Sequence, residues 1–303
     1  MTEEFLPPER IGFVGLGNMG APMARHLIAA GYQLLAADAN PAALESFCTS
    51  VQCERARSLV ELGRACRLVI TMLPDGAAVR QVLLGDDGIA AGLTPGCVVL
   101  DMSSSEPLGT RELGAKLADS GICLIDAPVS GGVKRAVTGT LAIMAGGEPA
   151  AITRCRPVLA RLGQVFCSGA SGSGHAVKAL NNYLSAVALA ATAEAMLAGE
   201  RFGIEPTAML EILNHSTGRN TATEQKYLAY VLPRSFNSGF ALGLMAKDLR
   251  IALGLAESLG SPSALLGECT ALWSRAERLL GAGADNTEIV RYLESSRGVS
   301  ADE

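Results

Sequence analysis

No CxxC pair and no Cys/His grouping at metal-ligand spacing occurs in the 303 residues. The eight cysteines stand at 48, 53, 66, 97, 123, 155, 167 and 269, mostly inside apolar runs, and the three histidines lie apart from them in sequence. A metal site is therefore not expected, nor a disulfide framework; buried free thiols in a reducing cytosol are. No long basic run is present and the net charge is −5. That argues against a nucleic-acid partner, because phosphate binding needs clustered Lys and Arg. The N-terminus, MTEEFLPPER, lacks the charged-then-apolar build of a secretory signal. The longest helical apolar stretch, Tyr183 to Ala193, is too short to span a bilayer. No membrane partner is expected, and the chain reads as cytoplasmic. Internal repeats and low-complexity linkers are also missing. What remains is 49% hydrophobic and only 18% charged, which describes a globular chain long enough for two domains.

The first half alternates strand-like runs (IGFVGL, QLLAAD, RLVITML, CVVLDM, ICLIDA, LAIMAG, QVFCSG) with amphipathic segments such as APMARHLIAAG and EPAAITRCRPVLARLG. This alternation predicts a mostly parallel sheet covered on both faces, an α/β Rossmann dinucleotide-binding domain over residues 1–168. After Gly169 the strand signal stops. Residues 169–303 read as an all-α substrate and dimerisation domain, which begins with a long interdomain helix from about Gly174 to Phe202. That helix is apolar around its circumference as far as Glu194, the pattern of a helix buried on all sides. Gly203 and Pro206 mark its end and the next start.

Residues 11–20, IGFVGLGNMG, place Gly15, Gly17 and Gly20 in a GxGxxG that follows a strand and opens a helix. The loop Gly15, Leu16, Gly17, Asn18, Met19 and Gly20 is expected to carry a dinucleotide. Gly15 permits the turn, Gly17 the approach of the pyrophosphate, and Gly20 the packing of helix on strand. Asp38 ends the next strand, at the distance of a carboxylate that bonds the ribose hydroxyls, and no arginine follows it. This favours NAD over NADP. The competing reading makes Asp38 a cap for the helix beginning at Pro41.

The stretch GASGSGHAVKALNN (169–182) sets Lys178 and Asn182 four apart, hence on one helical face. A lysine in the first turns of an apolar helix meets both desolvation and the positive dipole end, which lower its pKa toward proton-transfer range. The plain alternative is a solvated lysine beside a capping asparagine. Ser130, Gly131 and Gly132 follow an apolar strand, where a hydroxyl and two peptide N–H groups could converge on a carboxylate. As a bare SGG they would equally be a loop.

Taken together, GFVGLGNMGAPMARHL (12–27), MLPDG (72–76), DMSSSEP (101–107), DAPVSGG with GTLAIMAGG, the Lys178/Asn182 helix and KDLRIAL (247–253) resemble the β-hydroxyacid dehydrogenase family over nearly the whole chain. The family includes 3-hydroxyisobutyrate dehydrogenase and tartronate semialdehyde reductase. The resemblance implies an NAD(P)-dependent oxidoreductase that interconverts a small 3-hydroxy acid and its semialdehyde. It implies Lys178 as catalytic acid/base and Asn182 as the substrate-orienting residue. Ser130, Gly131 and Gly132 would be the carboxylate cradle, and Leu73, Pro74 and Ser104 would line the nicotinamide. Lys247 would reach cofactor and substrate, with Asp248 as its structural neighbour.

Three features depart from that pattern or lie outside it. Lys134 and Arg135 replace residues that are often small; they meet a second anionic group or are solvated turn charges. Arg219, in NHSTGRN (214–220), is a candidate anion clamp or an exposed helix end. His175 is a second base or a packed helix-start residue. Alternative activities are an imine reductase on the same fold, against which Lys178 argues, and a non-catalytic dinucleotide-binding protein. A homodimer or homotetramer is expected from the alanine-rich long helix.

Overall fold

The computed structural model describes residues 3–51 and 53–295. Among the described residues nine strands form one sheet: β1 (Arg10–Val14), β2 (Gln33–Ala37), β3 (Glu54–Arg55), β4 (Leu68–Thr71), β5 (Val98–Asp101), β6 (Cys123–Asp126), β7 (Val129–Ser130), β8 (Leu141–Gly146) and β9 (Gly163–Gly169). The order is β3-β2-β1-β4-β5-β6-β8-β7, with β9 paired to β8. Strands β1 to β6 pair in parallel, β8 runs antiparallel to β6 and β7, and β9 runs parallel to β8. The strand order reverses between β1 and β4, the switch point at which such sheets open a ligand crevice beyond their carboxyl ends.

The helices of this part are α1 (Gly20–Ala29), α2 (Pro41–Val51), α3 (Leu59–Ala65), α4 (Gly76–Leu84), α5 (Pro107–Ala118), α6 (Gly132–Thr138) and α7 (Pro149–Leu159). Strands β4 and β5 are buried at every residue, as expected of continuous apolar runs covered on both faces. Alternate residues feed separate cores. Ile11, Phe13, Ile70 and Leu100 pack with Met23 and Leu27 of α1, whereas Val14, Val69 and Val99 pack with Leu62, Val79 and Leu83. Helix entries are chemically explicit: Ser58 accepts from Glu61 N, and Asp75 from Ala78 N. Glu–Pro pairs open α5 and α7, where proline's missing N–H leaves no bond unmade.

The long helix α8 (Ser173–Phe202) is followed by α9 (Pro206–Asn214), a π-helix (Ala222–Val231), α10 (Leu242–Ser258), α11 (Ala264–Leu280), a 3-10 turn (Asn286–Glu288) and α12 (Ile289–Ser295). By compactness one unit ends at Lys178 and a second begins at Ala179. The second unit has its own core, where the fully buried Trp273 packs among residues including Leu189, Ala193, Leu249 and Ala252. Gly203, at φ 96°, ends α8 as expected, with Ile204 N bonded to Gly199 O.

Residues Ala222–Val231, inside the part read as helical, form a π-helix rather than an α-helix. Three expectations do not hold. Lys134 and Arg135 are exposed, but they ride on the short helix α6 rather than a turn. Cys167 is exposed, so the thiols are not uniformly buried. The long helix is not covered all round: Val177, Leu180 and Leu184 are exposed, Leu184 at 66%. An apolar circumference identifies no particular cover, and a face of this kind is also what a partner surface looks like. The part read as the all-α domain runs to residue 303, and residues 296–303 lie outside the described residues.

Candidate active site

The glycine loop shows three different demands. Gly15 sits at φ 98°, and a Cβ there would lie 2.3 Å from Met72 O. A Cβ on Gly20 would lie 1.9 Å from Gly15 O. A Cβ on Gly17 would meet nothing within 4 Å, and Gly17 and Asn18 are exposed. The first and third glycines are thus required by the protein itself. The second leaves space at the N-terminus of α1, an end whose helix dipole favours an anion.

Asp38 stands at the carboxyl end of β2. Its Oδ2 accepts from Leu16 N at 2.6 Å and its Oδ1 from Asn40 N at 2.7 Å. It therefore ties the glycine loop to β2, with a lone pair left on each oxygen. It does not cap α2: Asn40 does, through Oδ1 accepting from Ala42 N and Ala43 N. The same carboxyl edge continues through β4 and β5, where Leu73 N donates to Ser103 Oγ at 2.9 Å. This bond brings Leu73 and Pro74 together with the loop that carries Ser104. Ser130 ends β7, and Gly131 and Gly132 follow at φ 125° and 64°. Only glycine adopts such angles freely, and a Cβ on Gly131 would run into the Arg135 side chain.

Lys178 and Asn182 lie one turn apart on α8, each only 6% exposed. The surface-lysine reading is thereby displaced. Asn182 Nδ2 donates to Asp248 Oδ2 at 2.5 Å, and Asn181 Nδ2 donates to Asn182 Oδ1 at 3.2 Å. Asp248 is 2% exposed. Its other oxygen is 4.0 Å from Lys247 Nζ. A buried carboxylate between an amide and an ammonium fixes which way the Asn182 amide faces. Arg219 is exposed and lies 3.5 Å from Glu224. Among the described residues no group of three His, Cys, Asp or Glu side chains could hold a metal ion, and no helix is long and apolar enough to cross a membrane.

Sequence reasoning missed Asp126, whose carboxylate receives the start of α8, and the Asp248–Asn182 bond, whose partners are 66 residues apart. It also missed Lys226. This residue of the π-helix donates to Asn286 Oδ1 at 3.2 Å. Burial brings its ammonium down from 10.5 to about 8, against an opposing pull from Asp285. With the folded value below the unfolded one, a charged Lys226 costs stability below pH 8, and that cost fades as the pH rises toward 10.5. Lys226→Met should therefore raise the unfolding free energy at pH 7 by about 1–2 kcal/mol. Urea titrations should show the gain disappearing above the ordinary lysine pKa. A variant less stable than the parent at pH 7 would contradict this.

Comparison with known proteins agrees with this architecture. The NAD binding domain of 6-phosphogluconate dehydrogenase matches residues 10–195. The NAD-binding domain of NADP-dependent 3-hydroxyisobutyrate dehydrogenase matches residues 172–293. The chain is 36% identical to 2-(hydroxymethyl)glutarate dehydrogenase of Eubacterium barkeri over 296 residues, which cover 96% of this chain and 97% of that one. It is 36% identical to 3-hydroxyisobutyrate dehydrogenase of Pseudomonas aeruginosa, over 84% of this chain and 88% of the relative. Among solved structures it is similar to Mycobacterium tuberculosis 3-hydroxyisobutyrate dehydrogenase with L-serine, at TM-score 0.88 and 32% identity, covering 94% and 99% of the two chains. The chain belongs to the β-hydroxyacid dehydrogenase family and is an NAD(P)-dependent oxidoreductase acting on a CH–OH group.

Proposed function

We propose that the protein interconverts a small 3-hydroxy acid and its semialdehyde, with NAD as the preferred dinucleotide and Lys178 as the proton carrier. The observation that carries this reading is the buried pair Lys178 and Asn182, one turn apart, with the Asn182 amide held by Asp248. A dinucleotide held by the loop Gly15–Gly20 and Asp38 would supply the hydride acceptor for the carbinol carbon. The hydroxyl proton must leave as well, and neutral Lys178 accepts it. In the reducing direction the Lys178 ammonium donates to the developing alkoxide. Such proton transfer contributes about 10²–10⁴ in rate. Asn182 orients the substrate, and Ser130, Gly131 and Gly132 hold its carboxylate, so their share is mainly one of aim. Leu73, Pro74 and Ser104 would line the nicotinamide, and Lys247 would reach cofactor and substrate. Functionally we divide the chain at 1–168 for dinucleotide and 169–303 for substrate and dimerisation. The names of the relatives, 2-(hydroxymethyl)glutarate and 3-hydroxyisobutyrate dehydrogenases, support a 3-hydroxy acid. To clamp a second anion, Arg219 would have to leave Glu224.

Asp38 supports NAD, since its carboxylate would repel a 2′-phosphate. Asp38→Ala should reduce the preference for NAD over NADP by about tenfold, the loss of one bond to a charged acceptor. An unchanged ratio of kcat/KM values would remove Asp38 from cofactor choice. The exposed Val177, Leu180 and Leu184 support a homo-oligomer, and eight unbridged thiols suit the reducing cytoplasm.

The test of the reading is NADH absorbance with NAD or NADP against 3-hydroxyisobutyrate, glycerate, threonate, serine, 4-hydroxybutyrate and a sulfonated analogue. Turnover of at least one 3-hydroxy acid is expected. Dinucleotide binding without turnover of any of them would favour the non-catalytic alternative. Consumption of NADH or NADPH only when a carbonyl and an amine are supplied together, in place of the hydroxy acids, would favour the imine reductase.

A further inference from the structure

Beneath the first turn of α8 lie three buried ionisable side chains. Asp101, Asp126 and His175 are each at most 1% exposed. Asp126, the last residue of β6, accepts from Gly172 N at 2.7 Å and from His175 N at 3.0 Å. It therefore satisfies two of the N–H groups that a helix start leaves open. Burial pushes its carboxyl pKa up, while His175 and the two N–H groups pull it back. The seat has no slack. A Cβ on Gly174 would lie 2.2 Å from Met144 O, and one on Gly146 would lie 2.6 Å from Ser173 Oγ.

The His175 ring extends the same arrangement sideways. Nε2 lies 3.1 Å from Ser103 O, an atom that only accepts, so Nε2 carries a proton. Nδ1 lies 2.8 Å from Thr110 Oγ1 of α5. The charged groups facing the ring are Asp101 from β5, at 3.7 Å, and Asp126 from β6. Ser103 in turn donates its N–H to Asp101 and receives Leu73 N on its hydroxyl. One histidine thus joins the first turn of α8 to the loops carrying Leu73, Pro74 and Ser104. Lys178 follows three residues later, an adjacent position on the helix surface.

We propose that His175, seated on Asp126 and held between Ser103 and Thr110, is a positioning residue for Lys178. It registers the turn that bears the lysine against the loops assigned to the nicotinamide. This rests on Lys178 being the acid/base. His175 is not itself a second base, because both ring nitrogens are engaged and the side chain is out of contact with solvent.

The test compares His175→Ala, His175→Gln and Thr110→Val in the full-length protein, with rates expressed per NADH-binding site. Glutamine offers an N–H to Ser103 O and a polar amide atom to the Thr110 hydroxyl, which also lies 3.1 Å from Glu106 O. His175→Ala should lower kcat by about 10- to 100-fold, the scale of a misplaced catalytic group. NADH Kd and substrate KM should stay within about twofold, because ground-state binding is not what is lost. The primary deuterium isotope effect on kcat should rise as hydride transfer becomes slower than product release. His175→Gln should recover kcat to within about fivefold of the parent, its two hydrogen bonds restoring the geometry. If His175→Ala does not fold, Thr110→Val decides the matter by the same rise in isotope effect. The proposal is overturned if kcat per site is unchanged, if the isotope effect does not move, or if glutamine is no better than alanine. Lys178→Ala run alongside separates the two ideas. Retention of activity there defeats the acid/base assignment, whereas a dead Lys178→Ala beside a fully active His175→Ala defeats only the positioning role.

Discussion

Lys178→Ala should bind NADH as the parent does and lose about 10²–10⁴ in kcat, the usual worth of a general acid or base. The substitution removes an ammonium from a position that is 6% exposed on α8. It leaves the glycine loop, Asp38 and the Leu73–Ser103 bond untouched. Cofactor affinity and turnover should therefore separate cleanly, since one depends on the strand ends and the other on the helix. Added primary amines should restore part of the rate, and the restored rate should follow amine basicity as Brønsted behaviour requires. More than about a tenth of the parental kcat without added amine falls outside that range and would exclude Lys178 as the principal proton carrier.

Gly17→Val should abolish most dinucleotide binding while leaving the protein as stable as before. The three loop glycines differ in what a side chain would meet. A Cβ on Gly20 collides with Gly15 O at 1.9 Å, so Gly20→Val damages the fold as well as the site. A Cβ on Gly17 touches nothing, so the folded protein tolerates it. The pyrophosphate does not, because the branched side chain fills the space against the N-terminus of α1. NADH affinity should fall about 100-fold or more, about 2.7 kcal/mol. The unfolding free energy should change by less than about 0.5 kcal/mol, as for other substitutions that meet no neighbour. Fluorescence titration and urea unfolding measure the two quantities. Equal losses in both would mean that Gly17 serves the loop and not the ligand.

How far the sequence could be read depended on whether the decisive contacts were local. Strands β1, β4, β5 and β6 are continuous apolar runs ended by glycine, threonine or aspartate, and the boundaries fell close to those observed. The glycine loop was legible because its three roles follow from spacing alone. Lys178 and Asn182 were legible because they are one helical turn apart. Asp126 under α8, His175 on Ser103 and Asp248 on Asn182 were not, since their partners are 46, 72 and 66 residues away. Nothing in local spacing marks a buried carboxylate for a backbone N–H elsewhere in the chain. The short helix α6 was hidden by the glycines at its start, which read as loop residues. The π-helix over Ala222–Val231 has the same apolar pattern as an α-helix at this length. Asp38 illustrates a partial reading. Its place at the end of β2 was foreseen, but the capping role considered for it belongs to Asn40, two residues on.

The most direct test is a ternary crystal structure with NADH and a slow 3-hydroxy acid substrate or its inert analogue. The account predicts Lys178 Nζ at hydrogen-bond distance from the substrate hydroxyl oxygen, about 2.6–3.2 Å or through a single water. If the substrate carboxylate is held by other groups and that oxygen lies beyond reach of the amine, with another acid or base against it, the account is wrong at its centre.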